Sequence, residues 1–190
     1  MPSNRVGGKG FRSYTIYALS ESEIKRLLAA CGVMAEYIMF ILAIRYGFRR
    51  EDVVKIKVAN VNLYDSTITF HELKKKRDRT IPIEPDVVVE LRRYLGTLSK
   101  GTVYLFPFQD GSTAWRKLQE VCEVAKISIP EGRTGRPFHS LRGTCVKMRQ
   151  AQGWNISEVA ALIGDTTAVV QEHYTTVTPM ELARKMAGAK

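Results

Sequence analysis

From Tyr37 to Ile44 no charged residue breaks the chain, and Glu36 and Arg45 bound the run. It is too short to span a bilayer, so it reads as a buried helix. The pattern predicts that helix over about Val33 to Tyr46, with Gly47 closing it. Before it, Ser20-Glu21-Ser22-Glu23 has capping-box spacing and opens a helix to about Ala30. After it, Arg49 to Lys57 is predicted as a short third helix, which puts Arg49 at a helix-to-helix corner. From Val58 the apolar period changes to two. Thr67–Phe70 and Thr80–Ile83 alternate and read as two strands, with Val61–Leu63 as a third. Pro82 cannot donate a ladder bond, so its strand belongs at an edge or an end. Helical periodicity returns at Pro85–Leu98, where Leu91, Tyr94 and Leu95 form the core stripe, and at Ser112–Ala125. Further helices are predicted over Phe138–Gln152, from the Asn155 cap to Ile163, over Thr167–Glu172, and over Thr178–Ala187. Tyr174 falls near the end of the Thr167 helix. The fold class is α+β, mainly α, with a small antiparallel three-stranded sheet.

Charge adds a partner to this picture. The net charge is +10, with a pI near 9.6, while 45% of residues are hydrophobic. The apolar content supports a globular core, and the basic excess favours a polyanion such as nucleic acid. The segment His71–Arg79 between the two main strands holds Lys74, Lys75, Lys76, Arg77 and Arg79, so that hairpin tip is strongly cationic. The loop before Phe138 adds Arg133 and Arg136. Residues 1–18 read as a basic arm or linker, and Gly7-Gly8-Lys9-Gly10 lacks phosphate-loop spacing. Cys31, Cys122 and Cys145 form no CxxC pair, which signals neither a zinc site nor a disulfide framework. Odd, scattered cysteines and the absence of a secretory-signal layout fit an intracellular, cytoplasmic setting.

Three side chains carry candidate chemistry. His139 and Arg142 lie three apart and share a helix face. Tyr174 follows 32 positions after Arg142. An imidazole, a guanidinium and a phenol supply a proton carrier, a phosphate clamp and an oxygen nucleophile. Gly164 lets the intervening helix stop before Asp165. Taken singly, each residue also has a plain reading: a packed tyrosine, a core histidine, an exposed arginine at Arg49, a solvated Lys74.

Taken together, the residues resemble the tyrosine recombinases of the integrase and Xer type. Tyr46-Gly47-Phe48-Arg49-Arg50-Glu51-Asp52-Val53 is similar to their T-G-L-R-x-x-E-L box, with Asp52 at the acidic position. Phe138-His139-Ser140-Leu141-Arg142-Gly143-Thr144 resembles H-x-L-R-H-T. Leu162-Ile163-Gly164-Asp165 resembles L-L-G-H, with Tyr174 nine positions beyond Asp165 as in the family. The basic hairpin sits between the two arginine boxes, and Lys74 lies eight positions before Pro82, where the family's lysine commonly stands. The resemblance runs from Leu19 to Met186. It implies a catalytic domain over residues 19–177 and a terminal helix within 178–190 that docks on a neighbouring subunit. The family's usual amino-terminal core-binding domain is absent from these residues. Asp165 replaces the family's second histidine, and a carboxylate there is expected to cap the following helix. His173 is an outside substitute for the missing donor.

The resemblance implies site-specific recombination of double-stranded DNA through a 3′-phosphotyrosine. The expected catalytic set is Arg49, Lys74, His139, Arg142 and Tyr174. The set facing DNA phosphate is Asp165, Lys75, Lys76, Arg77, Arg79, Arg133 and Arg136. No metal and no cofactor is called for, and no membrane partner. The expected assembly is a tetramer on DNA and a monomer when free. Alternatives are relaxation of DNA by a type IB topoisomerase-like reaction, or a DNA-binding module whose catalysis has decayed at Asp165.

Overall fold

A computed structural model describes residues 17–129, 137–174 and 186 of the chain. The predicted amino-terminal arm up to residue 16, Arg133, Arg136 and, apart from Met186, the predicted terminal helix lie outside the described residues. At the start, Tyr17 Oη donates to Glu23 Oε1 (2.7 Å) and the Leu19 amide to Thr144 Oγ1 (2.9 Å).

The Ser20 capping box forms and opens α1 (Glu21–Ala29). Helix α2 (Met34–Tyr46) is buried along nearly all its length, including Ile38, Met39, Phe40, Leu42 and Ala43. An element apolar on every side has nowhere to sit but the centre. It packs against α4 (Pro85–Leu95) and α6 (Pro137–Ala151), with α1 and α3 (Arg50–Val53) also against it. Helix α5 (Gly111–Val124) covers α3 and α6. Among the described residues no helix is long and apolar enough to cross a membrane.

Helix α3 is a single turn, shorter than the predicted Arg49–Lys57. The chain leaves helical geometry because Ile56 is drawn into a second pairing: the Leu105 amide donates to Ile56 O (2.8 Å), and Lys57 bridges Tyr104. That tie to the segment before α5 outweighs continuation of a short helix.

The sheet has the order β1 (Val61–Asn62), β2 (Thr67–Glu72), β3 (Arg77–Pro82), all antiparallel. Pro82 lies on the edge strand. The strands run further than the hydrophobic alternation indicates. Phe70↔Arg79, His71↔Asp78 and Glu72↔Arg77 continue the ladder into the basic segment, leaving only residues 73–76 as the turn. Cross-strand pairs of opposite charge carry this extension.

A second, smaller core forms beside the first. Cys145 and Val146 of α6, Val159, Ala160 and Ile163 of α7 (Ile156–Ile163), and Val170 and Tyr174 of α8 (Thr167–Tyr174) pack together. The two bodies meet where α2 ends at Gly47. There φ is +65°, and an added Cβ would lie 2.7 Å from Ile163 Cγ2. Gly47→Ala is expected to cost about 2–4 kcal/mol, from the left-handed backbone and the collision together. A urea midpoint unchanged from wild type would count against this tight seam.

Candidate active site

Helix α7 ends in a Schellman turn. Gly164 adopts φ +67°, its amide donates to Ala161 O (3.3 Å), and the Asp165 amide donates to Ala160 O (2.9 Å). The last carbonyls of the helix are taken by arginines. Arg79 donates to Ala161 O and Leu162 O (3.1 Å each), and Arg142 Nη1 to Ile163 O (2.8 Å). A helix carboxyl end carries partial negative charge, so it is a natural seat for two guanidiniums.

Arg142 projects from α6 and is 1% exposed. Its Nη1 also donates to Gly47 O, and its Nη2 to Asp165 Oδ2 (2.5 Å). Arg49, at the corner between α2 and α3, places Nη1 near Glu72 Oε1 (3.4 Å) and Asp52 Oδ2 (3.8 Å). Its Nη2 donates to Asp165 Oδ2 (3.1 Å). Each guanidinium therefore has one nitrogen held by the scaffold and one directed at the same carboxylate oxygen. The two arginine boxes, distant in the chain, converge on one point.

Tyr174 closes α8 with its ring in the smaller core, 3% exposed. Its hydroxyl lies 2.9 Å from His139 Nε2, and the Arg142 charge acts on it. Burial pushes the phenol's pKa up, and the Arg142 charge only partly offsets this, so the group is neutral near pH 7. His139 also lines an open groove of about 270 Å³, together with Arg49, Arg50, Lys74 and Trp115. The groove brings Lys74, exposed on the hairpin turn, to the same face as Arg49 and His139.

The remaining predicted residues divide by neighbourhood. Lys75 and Lys76 are exposed in the turn, and Lys75 acts electrostatically on Asp165. Arg77 donates through Nε to Glu72 Oε2 (2.9 Å) but is half exposed. Arg79, besides its bonds to α7, lies 5.0 Å over the Phe70 ring and is mostly buried. Its guanidinium thus joins the hairpin to α7. Asp165 does not cap α8. Thr166 does so, through Oγ1 to the Val169 amide (3.3 Å), because the Schellman turn points the Asp165 side chain back at the arginines. The two guanidiniums hold its carboxyl below the usual carboxylate range, outweighing the opposing effect of burial. His173 lies 3.9 Å from Glu172, with its side chain 40% exposed.

Glu72 escaped the sequence reading. It is fully buried and serves Arg49, Arg77 and Arg79 at once. Its signal was parity: Ile68, Phe70 and Glu72 fall on one face of β2, so a carboxylate there must find cations. Asp52 tethers the same region, accepting from the Leu73 amide (3.1 Å) at the entry to the hairpin turn. Trp115 was missed as well, since nothing in the α5 pattern separates a groove-lining aromatic from a packed one.

Convergent arginines, a phenol on a histidine and an exposed cationic hairpin turn, set on this helical frame with its small antiparallel sheet, define a tyrosine recombinase catalytic domain. The chain belongs to the phage integrase family, whose model matches residues 18–181. It is similar to the tyrosine recombinase XerA of Pyrococcus horikoshii, with 23% identity over 181 residues covering 91% of this chain. The chain spans 61% of that protein's length. Among solved structures, XerA recombinase superposes with a TM-score of 0.76 at 24% identity, over 93% of this chain and 66% of that one. XerH recombinase in a post-cleavage complex with difH substrate gives 0.69 at 14% identity, over 90% and 52%.

Proposed function

We propose that this domain catalyses site-specific DNA strand exchange through a covalent 3′-phosphotyrosine. The observation that carries the reading is the shared oxygen: Arg49 and Arg142 both donate to Asp165 Oδ2, and the Tyr174 hydroxyl sits on His139, from the same helix as Arg142. Double-stranded DNA is the partner that fits the +10 charge and the cationic hairpin turn. The XerH neighbour, bound to its difH substrate, has the same fold.

In this mechanism the scissile phosphate takes the position between the two arginines. Their planar donors neutralise the non-bridging oxygens as charge builds at phosphorus. The Tyr174 oxygen attacks phosphorus while the bond to the 5′ oxygen breaks. With Nε2 unprotonated, His139 accepts the phenol proton. Lys74 gives a proton to the departing 5′ oxygen. The new phosphodiester to tyrosine keeps the bond energy, so an incoming 5′ hydroxyl reverses the step without ATP. Exposed Lys75, Lys76 and Arg77 contact the backbone, a contribution sensitive to salt.

The deciding experiment uses a suicide duplex nicked just 3′ of the scissile phosphate. A DNA-linked peptide containing Tyr174 supports the reading, and an adduct on another residue or none at all refutes it. Lys74 has its own test. Lys74→Ala is expected to slow cleavage of ordinary DNA by about 10²–10⁴-fold. A 5′-bridging phosphorothiolate, whose leaving group needs no proton, should restore the rate. If it does not, the acid lies elsewhere on the turn, with Lys75 the next position to examine.

A further inference from the structure

If the nitrogens directed at Asp165 Oδ2 are the ones that bind phosphate, the position is already filled by an anion. We propose that Asp165 is a built-in occupant of the phosphate seat, which holds the two guanidiniums together in the free protein and must leave before DNA is cleaved. The proposal rests on the phosphate role of Arg49 and Arg142 given above and assigns a regulation to that site.

The division of donors argues for it. Arg142 Nη1 is engaged by Gly47 O and Ile163 O, and Arg49 Nη1 faces Glu72 and Asp52. Only the two Nη2 groups converge, at 3.1 and 2.5 Å from a single oxygen. A phosphate oxygen taking both must displace Oδ2, because two anionic oxygens cannot share the spot. Buried cations left unpaired are costly, so an internal anion also keeps the empty site folded.

Asp165 is placed for such an exchange. Its backbone is fixed by the Schellman turn, while its side chain stands in the short link between α7 and α8 and retains 15% exposure. A change of χ1 alone moves the carboxylate between staggered positions. Lys75 supplies a nearby positive charge for the displaced group. The swing would therefore draw the hairpin turn toward the site as phosphate enters. The occupant also acts on the nucleophile. Its negative charge opposes ionisation of Tyr174, so its departure favours the phenolate as the substrate arrives.

The test needs no DNA. Inorganic phosphate binding to the whole chain is measured by titration calorimetry at fixed ionic strength, for wild type and Asp165→Asn. Asparagine keeps the shape and removes the charge. The variant is expected to bind phosphate about ten-fold tighter or better, since it no longer expels its own anion. It should also melt lower than wild type in phosphate-free buffer and gain more from added phosphate. Equal or weaker phosphate binding by Asp165→Asn overturns the proposal. Should that variant not fold, Asp165→Ser is measured with and without phosphate. Folding rescued by phosphate supports the internal occupant, and failure in both buffers makes the carboxylate purely structural and overturns it. The suicide-duplex assay on wild type keeps the two readings separate. Adducts without a gain in phosphate affinity sink only the occupant, whereas the gain without adducts sinks only strand exchange.

Discussion

Tyr174→Phe is expected to abolish covalent DNA adducts while leaving the fold in place. The ring packs with Cys145, Val146, Ile163 and Val170, and phenylalanine fills the same space. The hydroxyl's hydrogen bond to His139 is lost, worth about 1 kcal/mol. The catalytic loss has no such ceiling. No other described tyrosine has its hydroxyl on His139, so removal of this oxygen should lower adduct formation by on the order of 10⁴-fold or more. Equal thermal stability with no adduct would separate a nucleophile from a packing residue. Adducts that persist in the variant would mean that another group attacks phosphorus.

Arg142→Lys should be nearly as damaging, for two reasons acting together. Lysine keeps the charge but has one compact ammonium in place of a planar fork. It cannot reach Gly47 O, Ile163 O and Asp165 Oδ2 at once, which the guanidinium does. At least one buried carbonyl, or the carboxylate, is then left without its donor, at a cost of about 1–3 kcal/mol. Cleavage should fall by about 10²–10³-fold, the usual effect of losing a preorganised donor to a developing oxyanion. Denaturant midpoints together with single-turnover cleavage rates check both parts. A variant that cleaves within a few-fold of wild type would show that Arg142 is architectural only.

These residues also mark how far the sequence could be read. Helix α2 was legible because its apolar run leaves no exposed side, and α1 and α7 because Ser20 and Asn155 carry complete capping boxes. The small sheet followed from alternation, and the edge position of the third strand from Pro82. What was lost lay where charge, not hydrophobicity, sets the structure. The outer ladder of the hairpin pairs His71 with Asp78 and Glu72 with Arg77, and such residues read as loop. Helix α3 stops early because Ile56 pairs with a segment nearly fifty positions away, beyond the reach of local periodicity. The candidate site was legible as far as its charged and aromatic members. The resemblance picked out Arg49, His139, Arg142 and Tyr174, and in the fold these gather around one oxygen or one hydroxyl. Asp165 was misread as a cap because a carboxylate just before a helix ordinarily serves as one. Its true direction depends on two arginines that no local window contains.

The placement of Tyr174 in the lesser of the two cores has a mechanical consequence. Withdrawing that ring toward a bound strand would unsettle a handful of side chains between α6, α7 and α8, while Phe40, Leu42 and the packing around α2 stay undisturbed. Segments held by so few neighbours open at a fraction of the free energy needed to unfold a whole domain. On the proposed mechanism, a phenol joined to DNA and later released would leave the frame that holds the arginines intact.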